Sequence, residues 1–330
     1  MTGRLLLARE PRHRRWAAVR PRRRRRRAGR ARRLLIVAIG VTAAAAVIAV
    51  AAFAHGNSAG GRQAPGSYLG VYVPGVPETY APITNFTAMS QVRPRVVLYY
   101  SGWYEPFQAR FARLAARHGA VTLVQVNPDG ISLAAIASGR YDAYLRAYAG
   151  AVKAFGRQVI LSFGHEMNGA WYSWGYRHTS PAVFVAAWRH IVSVFRAARA
   201  RNVTWMWTVN VSQCGCGTRP PAAWWPGRSY VNWVGVDGYY RQPSWTFASL
   251  FGHTIKAVRA LTLDPILISE TAAPASSQPA KIADLVAGIR AYGLLGFIWF
   301  DVNKEQSWRI SSPAAFAAFH RGAQTLTRPS

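Results

Sequence analysis

The sequence predicts a single closed (β/α)8 barrel, and three observations carry that prediction. Eight short apolar runs follow one another between residues 68 and 300. Helix-like stretches rich in Ala, Leu and Arg separate most of these runs, and such alternation is typical of parallel strands joined by crossover helices. No G-x-G-x-x-G or G-x-x-x-x-G-K-[ST] motif follows any run, which removes the usual reason to prefer an open nucleotide-binding sheet.

The predicted strands are short and rich in Val, Ile, Leu and aromatic residues, as buried parallel strands require. They are residues 68–73, 95–100, 121–126, 158–163, 203–209, 233–237, 265–269 and 296–300. The predicted helices are residues 108–118, 141–155, 181–201, 247–261 and 278–292. Pro181 suits a first helical turn, and Ser180 before it suits an N-cap.

The chain before the barrel divides into three segments. Residues 1–33 contain fifteen Arg and one Glu, and so hold +14 of the net charge of +29. Residues 34–54 carry no charge and are long enough to cross ~30 Å of hydrocarbon as a transmembrane helix or signal anchor. Residues 55–66 are rich in Gly, Ser, Asn, Gln and Pro, and this composition predicts a flexible tether. The folded domain is therefore expected at residues 67–330.

The order of these segments predicts export. A basic flank before an apolar helix places that flank in the cytoplasm and the rest of the chain outside. Ala52-Phe53-Ala54 has the form of a signal-peptidase site, so cleavage after Ala54 would release a secreted protein. The apolar segment is longer than an ordinary signal core, which favours a retained membrane anchor with an extracellular barrel. Because a cytoplasmic flank accounts for the Arg block, nucleic acid is not expected as a partner.

Polar and aromatic residues follow the predicted strand ends, where the functional sites of such barrels lie. The fourth strand runs directly into His165, Glu166 and Asn168, and then into Trp171 and Trp174. A buried carboxyl without a partner is costly or takes up a proton. Aromatic faces pack well against the apolar C–H faces of sugar rings. The stretch therefore indicates a carbohydrate site that contains an acid.

A second carboxylate occupies an equivalent position. Glu270 follows the seventh strand, three βα units after Glu166, and the ends of strands four and seven face each other across a barrel of this size. Two carboxyl groups ~5–5.5 Å apart are what a retaining glycosidase needs, one as nucleophile and one as acid. Asp237 and Asp301, at the ends of strands six and eight, are alternative carboxylates.

These motifs resemble one family. Gly164-His165-Glu166-Met167-Asn168-Gly169, followed by Trp171-Tyr172-x-Trp174-Gly175, resembles the acid/base signature of glycoside hydrolase family 26, whose members are retaining (β/α)8 barrels. Residues 230–239 resemble its strand-six motif, and residues 268–271 resemble its nucleophile strand. The resemblance covers about residues 68–320.

The resemblance implies roles for individual residues. Glu166 would be the general acid/base, Glu270 the nucleophile, and His165 a hydrogen-bonding partner within the pocket. Tyr239, or Tyr240 next to it, would donate to Glu270. Trp171 and Trp299 would form the walls around the sugar at the cleavage point. The other expected substrate-binding residues are Asn168, Trp103, Trp174 and Asp237.

The sequence thus predicts a monomeric retaining endo-β-glycosidase that acts on β-mannan, β-1,3-1,4-glucan or β-1,3-xylan and needs no metal or organic cofactor. An open groove lined by Trp103, Trp171, Trp174, Trp224 and Trp225 would suit a polymer. Two other interpretations stay open: a membrane-tethered carbohydrate-binding barrel without turnover, and a basic envelope protein that binds acidic polymers. Cys214 and Cys216 are expected to be a loop staple or idle thiols.

Overall fold

A computed structural model of the chain describes residue 66 and residues 68–212, 217–304 and 307–327. Within these residues eight parallel strands pair in chain order, and the last pairs with the first, so the sheet closes into a barrel. All of the described residues belong to one compact unit, 58–330. The predicted (β/α)8 architecture is confirmed.

Each predicted strand is present, with its ends displaced by no more than two residues. The strands are β1 Tyr68–Tyr72, β2 Val96–Gly102, β3 Val121–Asn127, β4 Val159–Phe163, β5 Val203–Asn210, β6 Trp233–Asp237, β7 Ile266–Thr271 and β8 Gly296–Phe300. The longer β7 places Glu270 inside the strand, where its backbone pairs with Asp237 of β6. Glu270 is therefore held by the sheet itself and not by a loop.

The helices include five that the sequence predicts and three that it does not. They are α1 Ala81–Ser90, α2 Ala109–Arg117, α3 Leu133–Ala137, α4 Asp142–Phe155, α5 Pro181–Ala197, α6 Phe247–Arg259, α7 Gln278–Ala291 and α8 Pro313–Thr327; α1, α3 and α8 are the additional ones. Ser180 caps α5 by accepting a hydrogen bond from Val183 N–H. This helix stops before its predicted end because Arg199 takes a left-handed backbone conformation, with φ of 58°.

The inside of the barrel changes from apolar to polar toward the carboxyl ends of the strands. One apolar cluster, called the apolar plug, fills the barrel toward the amino ends of the strands. It consists of Val96, Leu98, Leu123, Ile160, Met206, Trp233, Leu267, Leu295 and Ile298. Buried hydroxyls follow on the same strands: Ser162 and Thr208 share a hydrogen bond of 2.9 Å, and Ser269 donates to Asp237 at 2.5 Å. The carboxylates at the strand ends thus rest on a layer of hydrogen-bonding groups.

Among the described residues, no helix has both the length and the apolar character needed to cross a membrane. The predicted segments 1–33 and 34–54, residues 55–65 of the tether, and both Cys214 and Cys216 lie outside the described part of the chain.

Two glycines in helix interiors should respond in opposite ways to alanine. A Cβ on Gly288 of α7 would overlap the ring of Phe247 in α6, whereas a Cβ on Gly150 of α4 would meet nothing within 4 Å. We expect Gly288→Ala to lower the free energy of unfolding by about 1–3 kcal/mol through overpacking. We expect Gly150→Ala to raise it by about 0.5–1 kcal/mol through helix propensity. Urea unfolding of both variants checks this; equal effects would contradict the packing of α6 against α7.

Candidate active site

Three carboxyl groups meet at the carboxyl ends of the strands. Glu166 follows β4, Asp237 ends β6 and Glu270 lies in β7, and one oxygen from each lies within 4.8 Å of the others. All three side chains are buried. Glu166 and Glu270 are thus close to the ~5–5.5 Å separation of retaining glycosidases, and well below the ~6.5–9.5 Å of inverting ones.

The backbone turns sharply to bring Glu166 to this place. Gly164 and Glu166 both have φ of 54°, a left-handed conformation that costs a residue with a side chain about 1–2 kcal/mol. The Glu166 N–H donates to the carbonyl of Thr208 in β5, at 3.0 Å. Strain of this kind concentrates at functional sites, where the surrounding structure holds it in place.

Both oxygens of Glu166 accept hydrogen bonds. Trp171 Nε1 donates to Oε2 at 2.7 Å, and Asn210 Nδ2 donates to Oε1 at 2.5 Å. Burial raises the pKa of Glu166 to about 7, and the nearby charge of Glu270 acts in the same direction. The two donors oppose that rise because they stabilise the ionised form. Glu166 can therefore hold a proton near neutral pH.

Asn168 sets the position of Asn210. Its Oδ1 accepts from the Asn210 N–H at 2.9 Å, and its Nδ2 donates to the carbonyl of Asn210 at 2.9 Å and to that of Arg219 at 3.0 Å. The side chain is fully buried, so it has no surface left for a ligand. The expectation that Asn168 binds substrate is corrected: it positions the residue that donates to Glu166.

Two tyrosine hydroxyls donate to Glu270. Tyr239 donates to Oε2 at 2.6 Å, and Tyr100 donates to Oε1. Burial raises the pKa of Glu270, while both hydroxyls lower it. The Tyr240 hydroxyl donates instead to Asp284 Oδ2 at 3.0 Å, so of these two tyrosines Tyr239 is the one that donates to Glu270. Sequence reasoning did not give Tyr100 a role, although it stands at the predicted end of β2.

Asp237 and Asp301 have different surroundings. Asp237 accepts from Ser269, and burial, followed by the charges of Glu270 and Glu166, raises its pKa well above the ordinary value. The ionised form of Asp237 is therefore disfavoured, and because its side chain is fully buried it presents no surface to a substrate, contrary to the prediction. Asp301 accepts from the Ile310 N–H at 2.7 Å, with Arg309 3.8 Å away, so it ties down the loop after β8.

His165 lies beneath the site in a neutral form. Burial lowers its pKa to about 3, and the charge of Lys304 adds to this effect. Its Nε2 is 3.0 Å from the hydroxyl of Tyr172, whose ring stacks on Trp174 with centroids 4.3 Å apart. Trp174 is fully buried and donates to the carbonyl of His165 at 2.7 Å. Trp174 therefore supports the wall of the site and does not line a groove, contrary to the prediction.

Among the predicted aromatic platforms, only Trp171 is strongly exposed, at 45%. Trp103 packs against Tyr141, Tyr144 and Phe163, and both it and Trp224 are buried, while Trp225 is partly exposed and packs on Trp207. The expectation of an open groove with five tryptophans is therefore wrong.

Trp299 faces away from the barrel mouth. It is fully buried, contacts Phe319 of α8 and donates to the carbonyl of Trp308 at 3.1 Å. Because side chains alternate along a strand, the next residue, Phe300, points inward instead, where it stacks on Tyr72 and meets Tyr239. Phe300 thus occupies the place that the sequence interpretation gave to Trp299.

The carboxylates are also close enough together to suggest a cation site. Five of their six oxygens, however, already accept a hydrogen bond from Trp171, Asn210, Tyr100, Tyr239 or Ser269. A hard cation requires these lone pairs for itself, usually with further oxygen ligands. The donor set fits a cluster that shares protons better than one that binds metal.

Comparison with known proteins agrees with this geometry. A family model described as glycosyl hydrolase family 26 matches residues 140–317, which include all three carboxylates. Endoglucanase H of Acetivibrio thermocellus is 30% identical over 272 residues, covering 77% of this chain and 30% of that protein. The mannan endo-1,4-beta-mannosidase A and B of Caldalkalibacillus mannanilyticus is 29% identical over 95 residues, covering 27% of this chain and 18% of the relative. The chain thus spans less than a third of the length of either relative.

A modular endo-beta-1,4-mannanase from Cellulomonas fimi shares the fold, with a TM-score of 0.63 at 16% identity over 80% of this chain and 71% of that one. The family model spans more than half of the chain, and together with the endoglucanase relative it shows that the chain belongs to glycosyl hydrolase family 26.

Proposed function

We propose that the chain hydrolyses a β-linked polysaccharide by double displacement, with Glu270 as nucleophile and Glu166 as acid/base. The observation that carries this proposal is the approach of the two carboxyl groups to within 4.8 Å at the mouth of the barrel. The separation fits a retaining mechanism, in which no water stands between the second carboxylate and the sugar.

In the first step a Glu270 oxygen attacks the anomeric carbon while Glu166 gives its proton to the leaving glycosidic oxygen. The bond between that carbon and that oxygen breaks, and the sugar becomes an ester of Glu270. Because Glu270 has then lost its charge, the pKa of Glu166 falls, and its carboxylate can take a proton from water. The resulting hydroxide attacks the anomeric carbon and releases Glu270.

The neighbouring groups suit this sequence of events. The hydroxyls of Tyr100 and Tyr239 hold one oxygen each of Glu270, which keeps the group ionised and oriented. Trp171, which donates to Glu166, also presents an exposed ring on which a sugar can stack. Burial and the charges of both glutamates raise the pKa of Asp237, which disfavours a third negative charge beside the nucleophile.

We propose β-glucan as the first substrate to test, because the relative that matches most of the chain is named an endoglucanase. β-1,4-Mannan and β-1,3-xylan are the other members of the panel. We further propose that the protein is exported and works as a monomer, either anchored through residues 34–54 or released after Ala54. The support for export is the order of the basic and apolar segments in the sequence.

Loss of either glutamate should abolish turnover. We expect Glu270→Gln and Glu166→Ala each to reduce the release of reducing ends from the responsive glycan by about 10³-fold or more. Azide should restore part of the rate of Glu166→Ala on an aryl glycoside, whose leaving group needs no proton. Full activity in either variant would contradict the assignment, and a wild-type protein that binds glycan without cleaving it would point to a binding barrel.

The pH profile of kcat/KM should carry the pKa of Glu166 on its alkaline side. The general acid must be protonated, so kcat/KM should fall as pH rises through about 7. Trp171→Phe removes a donor that lowers this pKa, and we therefore expect its alkaline limb to move to higher pH. An alkaline limb that does not move in this variant would show that Glu166 does not set it.

The two tyrosines should control the acidic side of the same profile. Tyr100→Phe and Tyr239→Phe each remove a donor that lowers the pKa of Glu270, so less of the nucleophile is ionised at a given acidic pH. We expect the acidic limb to shift upward and kcat/KM to fall about 10- to 100-fold. Tyr240→Phe is the matched control, because its hydroxyl donates to Asp284, and its profile should match that of the wild type.

A further inference from the structure

The face of the barrel opposite the candidate active site is strongly basic. This basic face comprises the loops that lead from helices into strands: residues 91–95, 118–120, 156–158, 198–202, 260–265 and 292–295. Five arginines lie in these loops, and two more are the last residues of the helices before them: Arg93, Arg95, Arg157, Arg199 and Arg201, with Arg117 and Arg259. Of the ten acidic residues that the structure describes, only Asp264 lies on this face.

Most of these arginines have no ion-pair partner within the described part of the barrel. Arg93, Arg95, Arg157, Arg199 and Arg201 are exposed, and their side chains make no ion pair with any residue in the described ranges. Helix dipoles favour basic residues in the last turn of a helix, which accounts for Arg117 and Arg259. The five loop arginines lie outside the helices, so they need another explanation.

The same face exposes large apolar side chains. Leu263 is 78% exposed, and Met89 in the last turn of α1 is 59% exposed. Tyr292 at the end of α7 is 38% exposed, but its ring packs on Phe247 of α6. The other two strongly exposed large apolar residues among those described, Tyr104 and Trp171, lie on the side of the active site. Apolar and aromatic side chains interspersed with Arg are typical of surfaces that enter the headgroup region of a bilayer.

The chain also enters the barrel on this face. Gly66 N–H donates to the carbonyl of Leu294, and Tyr68 N–H donates to that of Leu295, both at 2.9 Å. Only residues 55–65 separate Gly66 from the apolar segment that ends at Ala54, and a dozen residues extend no further than about 40 Å. The apolar segment that the sequence predicts as a membrane span is therefore joined to the barrel, through this short stretch of chain, on the basic face.

We propose that the basic face docks on anionic phospholipid headgroups, with Leu263 and Met89 entering the interface, and so turns the active site away from the membrane. The arginines supply an electrostatic attraction that salt screens. The apolar side chains add a contribution that salt does not remove. This docking does not depend on the proposed hydrolysis, because no residue of the basic face belongs to the active site.

The test uses the full chain in lipid nanodiscs. Hydrogen exchange is measured by mass spectrometry in discs of phosphatidylcholine alone and in discs of equal parts phosphatidylcholine and phosphatidylglycerol. We expect exchange in residues 91–95, 198–202 and 260–265 to slow severalfold only in the anionic discs, and residues 164–180 at the mouth to stay unchanged. The protection should weaken between about 0.1 M and about 1 M salt, where the Debye length falls from ~10 Å to ~3 Å.

Charge reversal gives the matched control. The double variant Arg93→Glu, Arg201→Glu should lose the protection, whereas Arg110→Glu, Arg140→Glu, with the same change of charge away from the basic face, should keep it. The thermal unfolding midpoints of both variants, followed by circular dichroism, should equal that of the wild type, which shows that each is folded. Equal protection in both kinds of disc, or in both variants, would overturn the proposal. Equal protection by soluble polyphosphate in neutral discs would also overturn it, in favour of a polymer site.

Discussion

Two buried carboxyl groups this close together oppose each other's ionisation, and the rest of the site depends on that constraint. Glu166 and Glu270 lie within 4.8 Å in a buried site, so the proton that one of them keeps is the proton available for catalysis. The donors decide which one keeps it. Glu270 accepts from two phenolic hydroxyls, whereas Glu166 accepts from an amide N–H and an indole N–H, and a phenolic O–H is the more acidic donor and so stabilises a carboxylate more. Glu270 therefore ionises first, and its charge helps to raise the pKa of Glu166.

The barrel provides this asymmetry by drawing one residue from each of several strands. Tyr100 belongs to β2 and Tyr239 follows β6, so the donors reach Glu270 of β7 from both sides. The turn after β4 is pinned to β5 twice, through the Glu166 N–H and through Asn168. Below them, Ser162, Thr208 and Ser269 separate the carboxylates from the apolar plug. Rigid strands and not mobile loops thus set the distances on which proton sharing depends.

Strand positions and the two glutamates could be predicted because both are local signals: apolar runs of fixed length, and polar residues at their ends. The direction in which each strand side chain points could not be predicted, because an apolar run does not reveal which alternate residues point into the barrel. For this reason the prediction put Trp299 in the site, where the structure has Phe300. Asn168 and Tyr100 act through contacts 42 and 170 residues away along the chain, which no spacing pattern indicates. The basic face could not be predicted from the sequence either, since its arginines are scattered along the chain and only the fold brings their loops to one side of the barrel.

The most direct test of proton sharing is the pKa of Glu166 itself. The chain contains six glutamates, so labelling their side-chain carboxyl carbons with ¹³C gives a spectrum in which Glu166 can be assigned by its loss in Glu166→Gln. We expect Glu166 to titrate near pH 7 in the free enzyme, and its pKa to fall clearly once Glu270 is made neutral, either in Glu270→Gln or as a trapped glycosyl ester. A Glu166 that titrates near its ordinary value of 4.5, or whose pKa ignores the charge of Glu270, would contradict proton sharing.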